Sequence, residues 1–329
     1  MKETKKVSVI IPTYKRANYI CRAIDSVLNQ TYSNVEVIVV DDNDSKSDDR
    51  KIMEKTMKKY NNNKKVLYLK HDKNMNGSAA RNTGIKKSSG QFITFLDDDD
   101  FYLKDRIKKL VNLLENDDTY SAAYTGLIRI INGKIVGMYD ADLDGNLEEE
   151  LLKLNAFFRS GSNIFFKKQV FDKIKGFDTE FKRHQDIEFM TRFFQYFKIK
   201  KLNEFLVVKD DSSRINSPNI NLSLSSKKLF IDKFSLRLKK YDEPKIIASI
   251  YQRVFNECSR NDKNYFDIYN KLISLKPKFK INYDKNIYII KHCHLRKIYD
   301  SVLITIKSNI LCKPEKKEID SIVKKYGNN

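Results

Sequence analysis

Apolar runs and helical stripes alternate through the first hundred residues of the chain. Val7-Ser-Val-Ile-Ile11 is a short β-branched run closed by Pro12, the pattern of a buried strand. Tyr19, Ile20, Ala23, Ile24, Val27 and Leu28 then recur at helical spacing, one apolar stripe of an amphipathic helix. A second strand, Val35–Val40, runs straight into Asp41-Asp42-Asn43-Asp44, and a polar helix separates it from a third at Val66–Leu69. A glycine-containing loop leads to a small-residue helix around Ser78–Lys87. Phe92–Leu96 makes a fourth strand, ending in Asp97-Asp98-Asp99-Asp100. Strands and helices in this order predict an α/β domain, a mostly parallel sheet flanked by helices.

Past residue 100 the order changes. Leu103, Ile107 and Leu110–Leu114 predict a helix. Tyr120–Ile131 and Lys134–Tyr139 flank Asn132-Gly133, a strong two-residue hairpin signal. Leu147–Leu154 reads as helical, Ser162–Phe166 as extended, the stripe Ile187, Met190, Phe194 and Phe197 as a helix, and Phe205–Val208 as a strand. Asp210–Pro218 is rich in turn residues and divides an α/β domain, 1–218, from a Lys-rich, mainly helical region, 219–329. Within the first, the break near residue 100 separates two halves, about 1–100 and 101–218.

Composition narrows the class. With 329 residues, 41% of them hydrophobic, the chain can bury a core. It lacks the 18-residue apolar stretch of an ordinary membrane-spanning helix. Its first apolar run, five residues ending at Pro12, is no secretory signal. Cys21, Cys258, Cys293 and Cys312 are widely spaced, so reduced thiols and a cytoplasmic location are expected. His292-Cys293-His294 lacks the second ligand pair of a closed zinc site.

The net charge of +20 is uneven. Residues 1–218 hold 39 basic and 32 acidic side chains, whereas 219–329 hold 24 and 11. Such a basic region suits anionic lipid, nucleic acid or a phosphate-bearing substrate. Leu229, Phe230, Phe234, Leu236 and Leu238 interleave with Lys227, Lys228, Lys233, Arg237, Lys239 and Lys240. Two readings stand: a peripheral membrane contact through 225–329, or an apolar face packed on the first domain with its lysines solvated.

The candidate chemistry lies at strand ends, where open α/β sheets bind ligands. Pro12-Thr13-Tyr14-Lys15-Arg16 follows the first strand, Asp41-Asp42 the second and Asp97–Asp100 the fourth. Four adjacent carboxylates repel one another, and capping a helix needs only one. In extended backbone Asp97 and Asp99 point the same way, which suits Mg²⁺ or Mn²⁺ shared with substrate phosphates. Asp41 or Asp42 suits a base imide or ribose hydroxyl, Tyr14 a base face, and Arg16 or Arg81 phosphate charge. Asn76-Gly77-Ser-Ala-Ala-Arg81-Asn82-Thr-Gly84 permits close backbone approach. It is neither a dinucleotide fingerprint nor a P-loop.

Together Val7-Ser-Val-Ile-Ile-Pro-Thr-Tyr14, Glu36-Val-Ile-Val-Val-Asp-Asp42, Ala80-Arg-Asn-Thr-Gly84 and Phe95-Leu-Asp-Asp-Asp-Asp100 resemble the family 2 glycosyltransferases over roughly residues 5–210. The resemblance implies a Rossmann-like GT-A fold and metal-dependent, inverting transfer from a nucleotide sugar, a UDP-sugar by preference, in surface polysaccharide synthesis. It implies that Pro12, Thr13, Tyr14, Arg16, Asp41, Asp42 and Arg81 surround the donor. Asp97 and Asp98 then meet ribose or metal, and Asp99 binds the cation. The family's acidic base opens a helix, a place held here by Arg183-His184-Gln185-Asp186. Asp186 is the expected base, with Gln185 in place of the usual Glu and, beside it, His184 towards a glycan or lipid-linked acceptor. Sugar-phosphate nucleotidyl transfer, or a basic nucleic-acid binder without catalysis, are the alternatives. The absence of a nucleic-acid motif disfavours the latter.

Overall fold

The computed structural model describes residues 4–213, 220–257, 265–275 and 313–326. Cys258, Cys293, Cys312 and the His292–His294 segment lie outside them, as does most of the turn-rich stretch at 214–218.

The four strands of the first half form as their patterns predict: β1 (Val7–Thr13), β2 (Val35–Asp41), β3 (Val66–Lys70) and β4 (Phe92–Phe95) pair in parallel in the order 3-2-1-4. Helices α1 (Ala17–Leu28), α2 (Asp48–Met57) and α3 (Gly77–Lys87) make the crossovers. β1 reads as an almost unbroken apolar run because both its faces are covered. Val7, Val9 and Ile11 enter one core with α1, and Ile10 enters the other beneath α3. Pro12 does not end the strand. β4 stops pairing at Ile10, and β1 continues along β2 alone, with Pro12 opposite Val40 and Thr13 opposite Asp41.

In the second half β6 (Ala122–Ile131) and β7 (Lys134–Tyr139) form the hairpin. Asn132 and Gly133 both take positive φ, 49° and 74°, as a two-residue primed turn requires. After α5 (Glu148–Leu152) comes β8 (Ile164–Lys167), which inserts antiparallel between β4 and β6. Helices α6 (Gln169–Ile174) and α7 (Gln185–Phe193) precede β9 (Ile199–Asp210), which lies parallel to β6.

The sequence pattern placed Leu103 in a helix, but it sits just after a two-residue strand, β5 (Phe101–Tyr102), antiparallel to β9. Phe101 and Leu103 face Val208 and Leu206, while Tyr102 turns to the opposite core. Alternation of period two wins here, and helix α4 begins only at Arg106 and ends at Leu114.

The C-terminal helices pack on this sheet. In α8 (Ile220–Lys233) and α9 (Ser235–Leu238), Phe230, Phe234 and Leu238 join the core cluster that holds Ile10, Phe95 and Phe166, leaving Leu236 exposed. Helices α10 (Glu243–Glu257) and α11 (Tyr265–Leu275) follow. In α12 (Lys313–Tyr326), Ile319 packs with Phe101 and Leu103. The apolar face of 229–238 is therefore committed to the protein. Among the described residues no helix is long and apolar enough to cross a membrane.

Close approach of α3 to β1 depends on Gly84, where a Cβ would overlap the side chain of Ile10, itself fully buried. Gly84→Ala gains about 1 kcal/mol of helix propensity but forces an overpacked core that costs about 1–3 kcal/mol. The variant is expected to unfold at lower denaturant concentration than wild type, with an unchanged slope.

Candidate functional site

The carboxyl ends of β1, β2 and β4 open into one cleft of about 380 Å³, lined by Pro12, Thr13, Tyr14, Arg16, Asp42, Asn74, Asn76, Gly77, Ala80, Arg81, Asp97 and Asp98. Parallel pairing brings these segments together from positions 85 residues apart in the chain. Asp42 donates its backbone N–H to the Thr13 carbonyl (2.9 Å), and the Thr13 hydroxyl donates to Asp98 Oδ2 (2.7 Å). Tyr14 stands 40% exposed at the rim, with Lys15 Nζ over its ring at 5.2 Å from the centroid.

Asp41 and Asp42 diverge. Asp41 is fully buried, its carboxylate held by Arg50 Nε (2.8 Å), the Tyr68 hydroxyl (2.6 Å), and the backbone N–H (2.9 Å) and side-chain amide (2.8 Å) of Asn43. It braces the floor and does not line the cleft. Asp42 does, oriented by His71 Nδ1 (2.7 Å), the Met75 N–H (2.8 Å) and the Asn74 amide (2.9 Å). His71 and Asn74 carry no expectation from the sequence, whereas Asn76 opens the segment marked for close backbone approach. The one signal for His71 and Asn74 is position just beyond the β3 end. Asn76, at φ 79°, caps α3 through Ser78 and Ala79 N–H.

The four aspartates are not extended. Asp100 N–H donates to the Asp97 carbonyl (3.0 Å), which closes a turn. The shared direction expected for Asp97 and Asp99 therefore has no strand geometry behind it. Asp97 is partly exposed and pairs with Arg81 (2.8 Å). Asp98 and Asp99 share Arg16, and Ser213 Oγ donates to Asp99 Oδ2 (3.0 Å). Asp99 is only 2% exposed and sits behind Arg16 as seen from the cleft. Asp100 faces inward to Ser162 Oγ (2.6 Å) and the Asp210 N–H (3.2 Å). Burial, reinforced by the charge of Asp99, pushes Asp98 up to about 7, and burial first does the same to Asp100, also to about 7. The sequence argument that four carboxylates demand positive charge is met in part by the chain's own arginines.

Among the described residues no group of three or more His, Cys, Asp or Glu side chains is arranged to hold an ion alone. The donors at the cleft are hard carboxylate oxygens, few in number. That set suits a cation completing its shell with phosphate oxygens and water.

Asp186 lies one residue into α7, beside Gly161 and against Phe95, Ile164, Phe166, Phe177, Phe189 and Met190. Burial raises its pKa, opposed chiefly by Arg81. Arg81 joins the two parts of the site: one nitrogen donates to Asp97 Oδ1 (2.8 Å), the other to Gln185 Oε1 (2.8 Å). Gln185 in turn donates to the Phe181 carbonyl (2.9 Å). His184 precedes the helix in left-handed backbone, φ 59°. Of the residues expected from sequence, Asp41, Asp99, Gln185 and His184 do not line the cleft; Asp186 lines the small cavity beside it, and Gln185 meets the cleft residue Arg81.

The family model described as "Glycosyl transferase family 2" matches residues 8–175. An uncharacterised glycosyltransferase of Rickettsia prowazekii is 31% identical over 73% of this chain and 74% of its own length. The amylovoran biosynthesis glycosyltransferase AmsB of Erwinia amylovora is 29% identical over 56% of this chain and 62% of its own. Some curated relatives, among them uncharacterised glycosyltransferases of Rickettsia bellii and Rickettsia felis, are much longer, and the match spans under a fifth of their length. Among solved structures, S. aureus TarS 1-349 in complex with UDP-GlcNAc superposes with a TM-score of 0.55 at 18% identity, over 85% of this chain and 92% of that one. That likeness is one of fold.

The buried Asp41–Arg50 pair has a measurable consequence. Asp41→Asn leaves Arg50 charged and short of its anion, which costs about 3–5 kcal/mol. Asp97→Asn, at a partly exposed pair, is expected to cost under about 1 kcal/mol. Denaturant titration of the two variants should separate them clearly.

Proposed function

The chain belongs to glycosyl transferase family 2, and from that premise we propose that it transfers a sugar from a nucleotide sugar, a UDP-sugar, to a hydroxyl of a glycan or lipid-linked acceptor, with inversion at the anomeric carbon. The observation that carries this reading is the single cleft that gathers Tyr14, Asp42, Arg81, Asp97 and Asp98 at the sheet's carboxyl edge, with Asp186 beyond Arg81. Tyr14 offers the base a stacking face. Asp42, its lone pairs aimed by His71 and Asn74, accepts from base or ribose. Arg16 and Arg81 supply charge for the diphosphate.

A divalent cation, Mg²⁺ or Mn²⁺, would neutralise the diphosphate as it leaves. Asp97 and Asp99 are the residues to hold it, and at Asp99 this requires Arg16 to let go of the carboxylate. The remaining chemistry belongs to the chain. A desolvated carboxylate is a stronger base than one in water, and Asp186 is raised by burial. It accepts the acceptor hydroxyl proton as that oxygen attacks opposite the departing diphosphate. The AmsB relative supports a role in polysaccharide assembly. A lipid-linked acceptor would draw the protein to a membrane's cytoplasmic face, where exposed Leu236, Lys239 and Lys240 offer a contact for anionic lipid.

Asp99→Asn should lose Mn²⁺-dependent donor binding, read by thermal shift with a panel of nucleotide sugars. Asp186→Asn should keep donor binding and lose turnover by about 10²–10⁴-fold. Near wild-type transfer by Asp186→Asn would falsify the assignment of the base.

The pH profile supplies a separate check. Only ionised Asp186 takes a proton, so the rate falls as pH drops through its pKa. Because that pKa is raised, the acid limb should lie above the usual carboxylate range. A limb within that range would place the base elsewhere.

A further inference from the structure

Asp186 is carried by α7, and α7 is gripped from outside the matched family region. Glu188, two residues on, is fully buried. Both its oxygens are taken by Arg192, from Nε (2.6 Å) and Nη2 (2.8 Å). A second cation reaches the same carboxylate: Lys233 Nζ, at the end of α8, lies 2.9 Å from Glu188 Oε1. Lys233 also pairs with Asp178 and stands over the Phe181 ring at 5.3 Å. One C-terminal side chain thus touches two points of the segment that leads into α7, Asp178 and Phe181, and one of α7 itself, Glu188.

That segment, residues 175–184, is conformationally demanding. It opens with Lys175 and Gly176 at φ 59° and 85° and closes with His184 at 59°, left-handed positions that non-glycine residues hold only when their surroundings insist. Arg192 accepts the task at one end, donating to the carbonyls of Ile174 (2.6 Å) and Gly176 (2.8 Å). Asn82 of α3 clamps Phe177 through both its N–H (2.8 Å) and its carbonyl (2.8 Å). Phe177 stacks on Phe189 of α7 with centroids 4.4 Å apart. The donor side is therefore tied to this loop through α3, and Lys233 adds a tie from the C-terminal helices at Asp178, Phe181 and Glu188.

We propose that Lys233 is a positioning residue for the transfer reaction: it couples the C-terminal helices to α7 and holds Asp186 at its place beside the donor cleft. This rests on the reading of Asp186 as base. The basic region then has a role in turnover beyond solubility, and its first helices belong to the acceptor side of the site. Lys233 touches no cleft-lining residue, so donor affinity is independent of it.

The test is kinetic, on the full chain. Lys233→Met should lower kcat at least fivefold with donor KM and calorimetric donor Kd within twofold of wild type. Lys233→Arg should restore most of the rate. In an Asp186→Asn background, Lys233→Met should have no further effect, because the group it positions is gone. Unchanged kcat in Lys233→Met overturns the proposal, as does a lowered kcat that Lys233→Arg leaves low. An equal loss in both backgrounds overturns it too, by placing the action of Lys233 elsewhere. Should Asp186→Asn itself transfer sugar at the wild-type rate, it is the base assignment that fails. Asp178→Asn, which removes one partner of Lys233 and leaves Glu188 in place, gives an intermediate kcat if the coupling is shared, and serves in its place should Lys233→Met not fold.

Discussion

Carboxylates gathered at the carboxyl edge of the sheet must find positive charge or hydrogen-bond donors, and the rest of this molecule is arranged around that need. Arg50 meets Asp41, Arg22 meets Asp210, Arg81 meets Asp97, and Arg16 is shared by Asp98 and Asp99. Each arginine arises from a different element, so each pair ties a loop to the sheet as well as balancing a charge. The deepest pairs, Asp41–Arg50 and Asp210–Arg22, are sealed from solvent and act as structure. The outer ones, at Arg16 and Arg81, border the cleft.

Behind this polar edge the second half is held by aromatic packing. Phe95 of β4 meets Phe166, Phe171 and Phe177 edge-on, and Phe189 of α7 stacks on both Phe171 and Phe177. Edge-to-face and offset stacks have preferred geometries, worth about 0.5–1.5 kcal/mol per pair beyond burial. They orient α7 as well as fill space. Four of these rings, Phe95, Phe166, Phe177 and Phe189, line the small cavity that also holds Asp186. Packing and chemistry are here one arrangement, since the cluster that fixes the helix also raises the basicity of its carboxylate.

The first half of the fold was legible in the chain because β1, β2 and β4 are buried on both faces and α1 on one. β1 to β4 and α1 to α3 fall where their hydrophobic periods place them. The Asn132-Gly133 hairpin was equally plain, since few residues adopt its positive φ values. Less visible was β5, two residues long, whose pairing with the distant β9 no local pattern announces. The site divides in the same way. Pro12 to Arg16, Asp42, Asp97 and Asp98 were marked by their position at strand ends, and Arg81 by its place in the small-residue segment 76–84. His71 and Asn74 follow a half-exposed edge strand and carry no motif.

What the sequence determined by itself was therefore the alternation of strand and helix, the strand ends that carry polar chemistry, and the excess of positive charge in the last third. These follow from local periodicity and residue type, which need no knowledge of distant neighbours. Only the tertiary structure decided which of two adjacent aspartates faces the cleft, that Asp97–Asp100 is a turn with Arg16 across it, and that Lys233 reaches Glu188 from 45 positions away. Side-chain direction at a strand end and ion pairing across the fold depend on register and packing, and both are set by the assembled core.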